Sequence, residues 1–243
     1  MSKNNLVLVH GYLGGSAQWA EQVEQFSADF NVIAIDLPGF GQKNDIDAPE
    51  TISGFAQSVL DQLDRQKIDR FHLLGHSMGG MIVQEMVAMA PRRIEKLILY
   101  GTGSVGVMPG RFETLDESRR KVKQFGIEKI GPQIASKWFL HGTEAPGYPL
   151  CAMLAVKASL QAALAGLAAM QTWSGESRLK DIGSPTLILW GDSDRAYQWQ
   201  QPEQLWREIK DTQLAVIPAC SHAVHLEKPD LFNAVLKDFL FDL

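Results

Sequence analysis

The sequence predicts a doubly wound α/β domain: a mostly parallel sheet, helices on both of its faces, and a helical cap inserted into the chain. Three observations carry the prediction. Short apolar runs alternate with helical stretches over residues 1–104 and again over 179–243, the pattern of parallel strands joined by crossover helices. Over 105–178 the strand-like runs vanish and the chain reads as helices, which marks that segment as the cap. Finally, the strand-like Phe71 to Leu74 runs into Gly75-His76-Ser77-Met78-Gly79-Gly80 and then an amphipathic stretch to Met89. That is G-x-S-x-G set as strand, sharp turn and helix. A turn that strains the serine backbone requires nearly side-chain-free neighbours, and Gly75 and Gly79 supply them.

The first run, Leu6 to Val9, is continuous and rich in Leu and Val, as a strand buried on both faces should be. It ends in His10-Gly11-Tyr12-Leu13-Gly14-Gly15, after which Ser16 is a candidate N-cap for a helix through Phe26. This glycine-rich loop has two readings: a tight turn that needs glycine for geometry alone, or a donor of a backbone N–H, that of Tyr12, to a reacting oxyanion. Val32 to Ile35 follows, closed by Asp36-Leu37-Pro38-Gly39-Phe40-Gly41, which is turn chemistry. Thr51 is placed to cap a helix through Leu63, with Phe55, Val59, Leu60 and Leu63 at helical spacing. After the Ser77 turn and its helix, Ile94 to Tyr100 makes another strand, entering Gly101-Thr102-Gly103-Ser104.

In the cap, helices are expected at Asp116–Phe125 and Lys129–Leu140, with an Ala-rich one from Leu150 to Trp173 broken near Gly166. His141 to Pro149 is a loop by composition. Trp138, Phe139, Tyr148, Met153, Met170 and Trp173 are candidates to line an apolar substrate pocket, the alternative for each being the cap's own core. Alternation resumes with Pro185 to Trp190, ending in Gly191-Asp192-Ser193-Asp194-Arg195. A helix around Gln204–Lys210, a strand Gln213–Ile217, the turn Pro218-Ala219-Cys220-Ser221-His222 and an amphipathic helix Leu231–Leu240 complete the chain.

Composition narrows the function classes. At 243 residues, 45% hydrophobic and 21% charged, the chain has the profile of one sizeable globular domain. A net charge of −5 gives no reason to expect nucleic acid or an anionic membrane as partner. No signal-peptide pattern opens the chain, and the most apolar stretch, Ala162 to Met170, is interrupted by Gly166 and too short for a membrane span. Cys151 and Cys220 are too few for a disulfide framework and lack metal-ligand spacing, which fits reduced thiols in a cytoplasmic protein.

Ser77, Asp194 and His222 stand, in that order, at carboxyl ends of predicted parallel strands, where such sheets place their ligand crevice. The three types divide the labour of nucleophilic catalysis. Serine is a poor nucleophile until histidine takes its proton, and a buried carboxylate fixes the imidazole tautomer and steadies its charge. The amides of Met78, at a helix N-terminus, and Tyr12 are the candidate oxyanion donors, each worth about 3–4 kcal/mol in such sites.

The motifs LVLVHG, DLPGFG, GHSMGG, PTLILWGDSD and SHAVHLEKP, in order, resemble the α/β-hydrolase superfamily, in particular its small cap-bearing esterases, enol-lactonases and C–C bond hydrolases. The likeness covers nearly the whole chain outside the cap, and the order Ser, Asp, His is that family's. It implies a catalytic acid three residues after Gly191, favouring Asp194 over Asp192. It also implies a histidine followed by Glu and Pro, matched by His222, Glu227 and Pro229. The variant acid after the preceding strand has no carboxylate here, since Gly101 to Ser104 has none. His225 and Tyr197 are candidates to reach the pocket, as is His10, whose alternative is bracing the oxyanion loop. His76 is read as structural, pointing away from the nucleophile. An Asp in place of Ser77 would have suggested a dehalogenase or epoxide hydrolase.

Two departures from the family stand out. The usual antiparallel hairpin before the first parallel strand is missing, so a shortened sheet of about six strands is expected. The acid loop also lacks its usual proline, with Arg195-Ala196-Tyr197-Gln198-Trp199 instead. The resemblance implies a cofactor-free, metal-free serine hydrolase whose partner is a small, largely apolar ester or lactone. C–C hydrolysis of a ring-cleavage product is the alternative. Such enzymes commonly carry a tryptophan soon after the histidine, where Ala223-Val224 stands here, and a cap arginine, for which Arg111, Arg119 and Arg120 are available. More remote are a cofactor-free oxygenase using the His–Asp pair and a ligand receptor of the same fold. The sequence leaves the oligomeric state open.

Overall fold

The computed structural model describes residues 3–108 and 110–241. The chain runs β1 (Asn4–Val9), α1 (Ala20–Phe26), β2 (Phe30–Ile35), α2 (Ile52–Arg65), β3 (Phe71–His76), α3 (Met78–Met89) and β4 (Ile94–Tyr100). Four cap helices follow: α4 (Leu115–Phe125), α5 (Ile127–Ser136), α6 (Tyr148–Lys157) and α7 (Leu160–Gln171). Then come β5 (Thr186–Gly191), α8 (Gln200–Glu208), β6 (Thr212–Ile217), α9 (Val224–Glu227) and α10 (Pro229–Phe241).

The six strands form one parallel sheet in the order β2-β1-β3-β4-β5-β6. The chain steps from β1 out to β2, then returns to the other side of β1 for β3. This reversal puts the topological switch point between β1 and β3, where the crevice of an open α/β sheet forms. Val9 pairs with Gly75, so the loop after β1 and the turn after β3 emerge side by side.

Alternation along β1 divides the core. Leu6 and Leu8 face Trp19 and Phe26 with Phe232, Leu236 and Phe239 of α10, whereas Val7 and Val9 join α2, α3 and the cap in a second cluster. That second cluster runs without a break from Phe55 and Met81 to Ala155, Ala163 and Leu167, so the cap's apolar interior is continuous with the sheet's. Both ends of the helical insert are clasped: Val105 bridges Ser174, Gly106 N–H donates to Trp173 O, and Gly175 N–H to Ser104 O.

Several elements differ from expectation. The run after Ser77 is not amphipathic in place, because α3 lies between the sheet and its neighbours and every residue from Met78 to Val87 is buried. Ser16 does not cap α1. Its N–H and hydroxyl donate to the Asp36 carboxylate at 2.7 and 2.8 Å, tying the loop after β1 to that after β2. The Ala-rich helix breaks at Ala158-Ser159 rather than near Gly166, since the Ser159 hydroxyl accepts the Ala162 N–H and starts α7. Gly166 lies inside α7, where a Cβ would sit 2.9 Å from the Tyr12 ring. α5 ends at Ser136 and α8 begins at Gln200, short of and ahead of the expected bounds.

Candidate active site

Ser77 holds φ 58° and ψ −122°, a conformation most L-residues avoid. The surroundings enforce it. The Ser77 N–H donates to Tyr100 O at 3.0 Å, while its carbonyl accepts from Gly80 N–H and from the Thr102 hydroxyl, each at 2.8 Å. A Cβ on Gly75 would meet Gly79 O at 2.4 Å, and one on Gly79 would meet the carbonyls of Val9 and His10 at 2.5 Å. From the other side, a Cβ on Gly11 would lie 2.8 Å from the Ser77 Cβ. The loop after β1 therefore touches the serine only because Gly11 lacks a side chain.

His222 is buried, with Nδ1 2.8 Å from Asp194 Oδ2. The other Asp194 oxygen accepts from the N–H groups of Ala196 and Tyr197 at 2.7 and 3.0 Å. The carboxylate is thus fixed by the backbone of its own loop, with one oxygen left for the imidazole. Asp192 is solvent-exposed instead, and backbone N–H groups at Ala219 and Cys220 hold its carboxyl below the usual range.

The imidazole is also gripped through its backbone. His76 Nε2 and the Tyr100 hydroxyl both donate to the His222 carbonyl, at 3.0 and 2.9 Å. The cap holds the same turn: Ala223 N–H donates to Trp138 O, and the Glu227 carboxylate accepts from Ser221 N–H and Leu140 N–H at 2.6 Å each. Glu227, matched to the motif as a spelling only, is the clasp between the histidine turn and the cap.

Among the described residues, neither the Met78 nor the Tyr12 backbone N–H has a protein acceptor. Both adjoin Ser77, which lines a cavity of about 10 Å³ with Gly11, Tyr12, Gln18, His76, Trp138 and His222. That is room for about one water molecule. The Tyr12 side chain turns away into the cap, where its hydroxyl donates to Ala163 O at 3.0 Å.

The pocket candidates divide. Tyr197 stacks on the His222 ring, with centroids 5.4 Å apart and planes 12° apart, and Trp138 lies 6.5 Å from it. Burial pushes the Tyr197 phenol up, opposed by the Arg111 charge and by the neighbouring Ser77 and Thr102 side chains. Trp138 lines the cavity, whereas Tyr197 and the remaining candidates are not among its lining residues. Met153 is 43% exposed, on the side of α6 opposite Cys151, Leu154 and Ala155. Trp173 donates its indole N–H to Glu85 at 2.7 Å, and Tyr148 packs half-buried on the main core. His10 is spent on bracing: Nδ1–H donates to Gly11 O at 2.7 Å and Nε2 accepts from Leu37 N–H, so burial lowers its pKa to about 4. His225 bonds Tyr100 at 3.0 Å and lies 4.5 Å from Trp19 on the opposite face of the sheet, its pKa lowered to about 3, mainly by burial.

Two residues near the site went unread in the sequence. Gln18 accepts Gly15 N–H and donates to Cys151 Sγ, joining the loop after β1 to α6. Tyr100 looks like one more strand apolar until its hydroxyl meets His222 O and His225. Arg111 was named without a position. Its Nε is buried with no hydrogen-bond partner, its guanidinium carbon lies 5.6 Å from the centre of the Phe112 ring, and its charge is felt by both Tyr12 and Tyr197. Among the described residues, no group of three His, Cys, Asp or Glu side chains is arranged to hold a metal ion.

The comparisons agree with this architecture. The chain is 31% identical to the 2-hydroxy-6-oxononadienedioate/2-hydroxy-6-oxononatrienedioate hydrolase 1 of Pseudomonas putida, over 98% of its own length and 88% of the relative's. It is 26% identical to a putative carbamate hydrolase, RutD, of Agrobacterium fabrum, over 97% and 92%. The enol-lactonase of Burkholderia xenovorans superposes with a TM-score of 0.91 at 23% identity, covering 99% of this chain and 92% of that one. At such identity the likeness speaks for the fold alone. The family model described as alpha/beta hydrolase fold matches residues 4–229, and the chain belongs to that family.

Proposed function

We propose that the chain is a serine hydrolase that cleaves a small, largely apolar carboxylic ester or lactone through an acyl-enzyme. One observation carries the reading. Ser77, on its strained turn, and His222, paired with Asp194, line one cavity beside two backbone N–H groups that have no acceptor. With Nδ1–H held by Asp194, the Nε2 lone pair of His222 is the base that takes the Ser77 proton. Ser77 Oγ attacks the carbonyl carbon, and the developing oxyanion accepts from Met78 and Tyr12 N–H. Collapse of the tetrahedral intermediate expels the alkoxide, which receives the proton from His222. A water then repeats the sequence on the acyl-enzyme and frees Ser77. At about 10 Å³ the cavity has no room for an acyl group as it stands, so its walls, Trp138 of the cap among them, must give way to substrate, and the smallest acyl groups ask for the least movement.

A second reading, C–C bond hydrolysis of a carboxylate-bearing diketone, is favoured by one specific observation. Arg111 holds a buried Nε with no partner, near Tyr12 and Tyr197, as a site awaiting an anion would. The similarity to the Pseudomonas putida hydrolase agrees with it. The two readings separate in one experiment: p-nitrophenyl esters from acetate to octanoate, beside a vinylogous 1,5-diketo acid, tested on wild type, Ser77→Ala and Arg111→Gln. The ester reading expects turnover greatest on acetate or propionate, lowered at least 10³-fold in Ser77→Ala and little changed in Arg111→Gln. Wild type inert on every ester would overturn it. Diketo-acid turnover with a KM at least tenfold higher in Arg111→Gln would establish the second. Activity surviving in Ser77→Ala would move the chemistry to the His222–Asp194 base alone.

A further inference from the structure

Away from Ser77, a cleft of about 240 Å³ lies between the C-terminal half of α3 and the segment returning from the cap. Val87, Leu179, Ile182 and Pro91 give it apolar walls, and Gln84 stands at its inner end. Gln84 is only 6% exposed. Its Nε2 donates to Gly80 O and to Gly103 O, each at 3.0 Å, so the amide cannot be turned over without setting oxygen against two carbonyls. Oε1 is therefore fixed as the free end, and it is buried with no hydrogen-bond partner. The wall beside it is Gly175, where even a Cβ would come within 3.3 Å of Oε1.

The other polar groups around the cleft do not answer this acceptor. Arg178 is turned to the Glu85 carboxylate, which also takes the Trp173 indole N–H. Asp181 is at the exposed mouth and is an acceptor itself. A buried carbonyl oxygen at the end of an apolar cleft calls for a ligand with a matching donor. An apolar cavity of roughly 150 Å³ holds a benzene-sized molecule, so this one has room for a substituted ring.

We propose that this cleft is a second ligand site, distinct from the Ser77 cavity, for a small neutral molecule with an apolar body and one hydroxyl donor, a phenol being the simplest case. The wall at Gly175 covers Gln84 Oε1, so binding includes a small outward movement of that wall; the hydroxyl then donates to Oε1 while the ring packs on Val87, Leu179 and Ile182. Occupancy reaches the nucleophile through few bonds. Gln84 ties α3 to the Gly101–Ser104 loop, and Thr102 of that loop donates to Ser77 O.

The test is a ligand-observed 19F NMR titration of the full chain with 4-fluorophenol and with fluorobenzene, which has the ring without the donor. Saturable binding of 4-fluorophenol is expected, at least tenfold tighter than fluorobenzene. Ala88→Trp, a change at the exposed rim, is expected to abolish it while ester turnover persists. Independently of that variant, the Gln84 side-chain amide signal of 15N-labelled wild type should shift along the same binding curve. Absence of saturation, equal affinity for the two probes, an unmoved Gln84 signal, or full binding in a folded Ala88→Trp would each overturn the proposal.

Discussion

Asp194→Asn isolates the tautomer argument, and the geometry fixes its outcome. In the native site Asp194 Oδ1 accepts two backbone N–H groups, from Ala196 and Tyr197, and Oδ2 faces His222 Nδ1. An asparagine must keep its carbonyl oxygen on the two N–H donors, since its NH2 there would oppose both. The NH2 then lies where Oδ2 was and presents a hydrogen to Nδ1. His222 can accept it only as the Nε2–H tautomer, which has no lone pair to take the Ser77 proton. In serine proteases the corresponding change lowers kcat about 10⁴-fold, equivalent to about 5.5 kcal/mol of transition-state stabilisation. The fold should hold, because both backbone bonds and the neutral contact persist. The measurement is kcat on p-nitrophenyl acetate for wild type, Asp194→Asn and Asp192→Asn, with thermal melts of each. Retention of more than a tenth of wild-type kcat in Asp194→Asn, or a greater loss in Asp192→Asn, would refute the assignment of the acid and the tautomer argument with it.

Three further outcomes follow from the same geometry. Ser77→Gly should raise stability by about 1 kcal/mol, since glycine adopts φ 58° without strain, while ester turnover disappears; chemical denaturation reads the gain. Gly11→Ala places a Cβ 2.8 Å from that of Ser77, pushing the Tyr12 N–H off the oxyanion position. The expected fall in kcat is about 10²–10³-fold, from steady-state kinetics on a folded variant. Acid should destabilise the fold before its carboxylates titrate. His10 and His225 have folded pKa values lowered to about 4 and about 3, so they give stability above the unfolded pKa near 6.5 and lose it as pH falls from there toward the folded values. Each costs about 2 kcal/mol at pH 5 relative to neutral pH. Urea midpoints at pH 7.5 and 5 check this, and a double His10→Gln, His225→Phe variant should show a flatter profile.

The site motifs were legible because tight turns and buried strands leave their marks in the sequence. Gly75 is required by a carbonyl one turn on, that of Gly79, and Gly79 by the carbonyls of Val9 and His10 on the neighbouring strand and its loop, while the order of Ser77, Asp194 and His222 follows from strands whose apolar runs are unmistakable. The six strands could be counted for the same reason. The pocket was not legible. The sequence marked Met153 and Trp173 as apolar members of a cap helix and Tyr148 as part of a cap loop, but a helix has two sides that can be buried, and nothing local says which one meets Ser77. Ser16 carried every mark of an N-cap, yet a carboxylate 20 residues on, Asp36, offered its N–H and hydroxyl a stronger partner.

The sequence by itself determined the layered architecture and the Ser77 turn, since these rest on backbone geometry and apolar period, while the family resemblance of its motifs singled out Asp194 and His222 as the pair. Only the tertiary structure decided how the pieces are held against one another. Glu227 spans from the histidine turn to the cap, Tyr100 and His76 share the His222 carbonyl, Tyr197 covers the imidazole, and Arg111 keeps a buried Nε with no partner. Each of these depends on where two distant segments meet. A hydrogen bond or a ring contact is set by distances of a few ångströms between such segments, and no period along the chain encodes them.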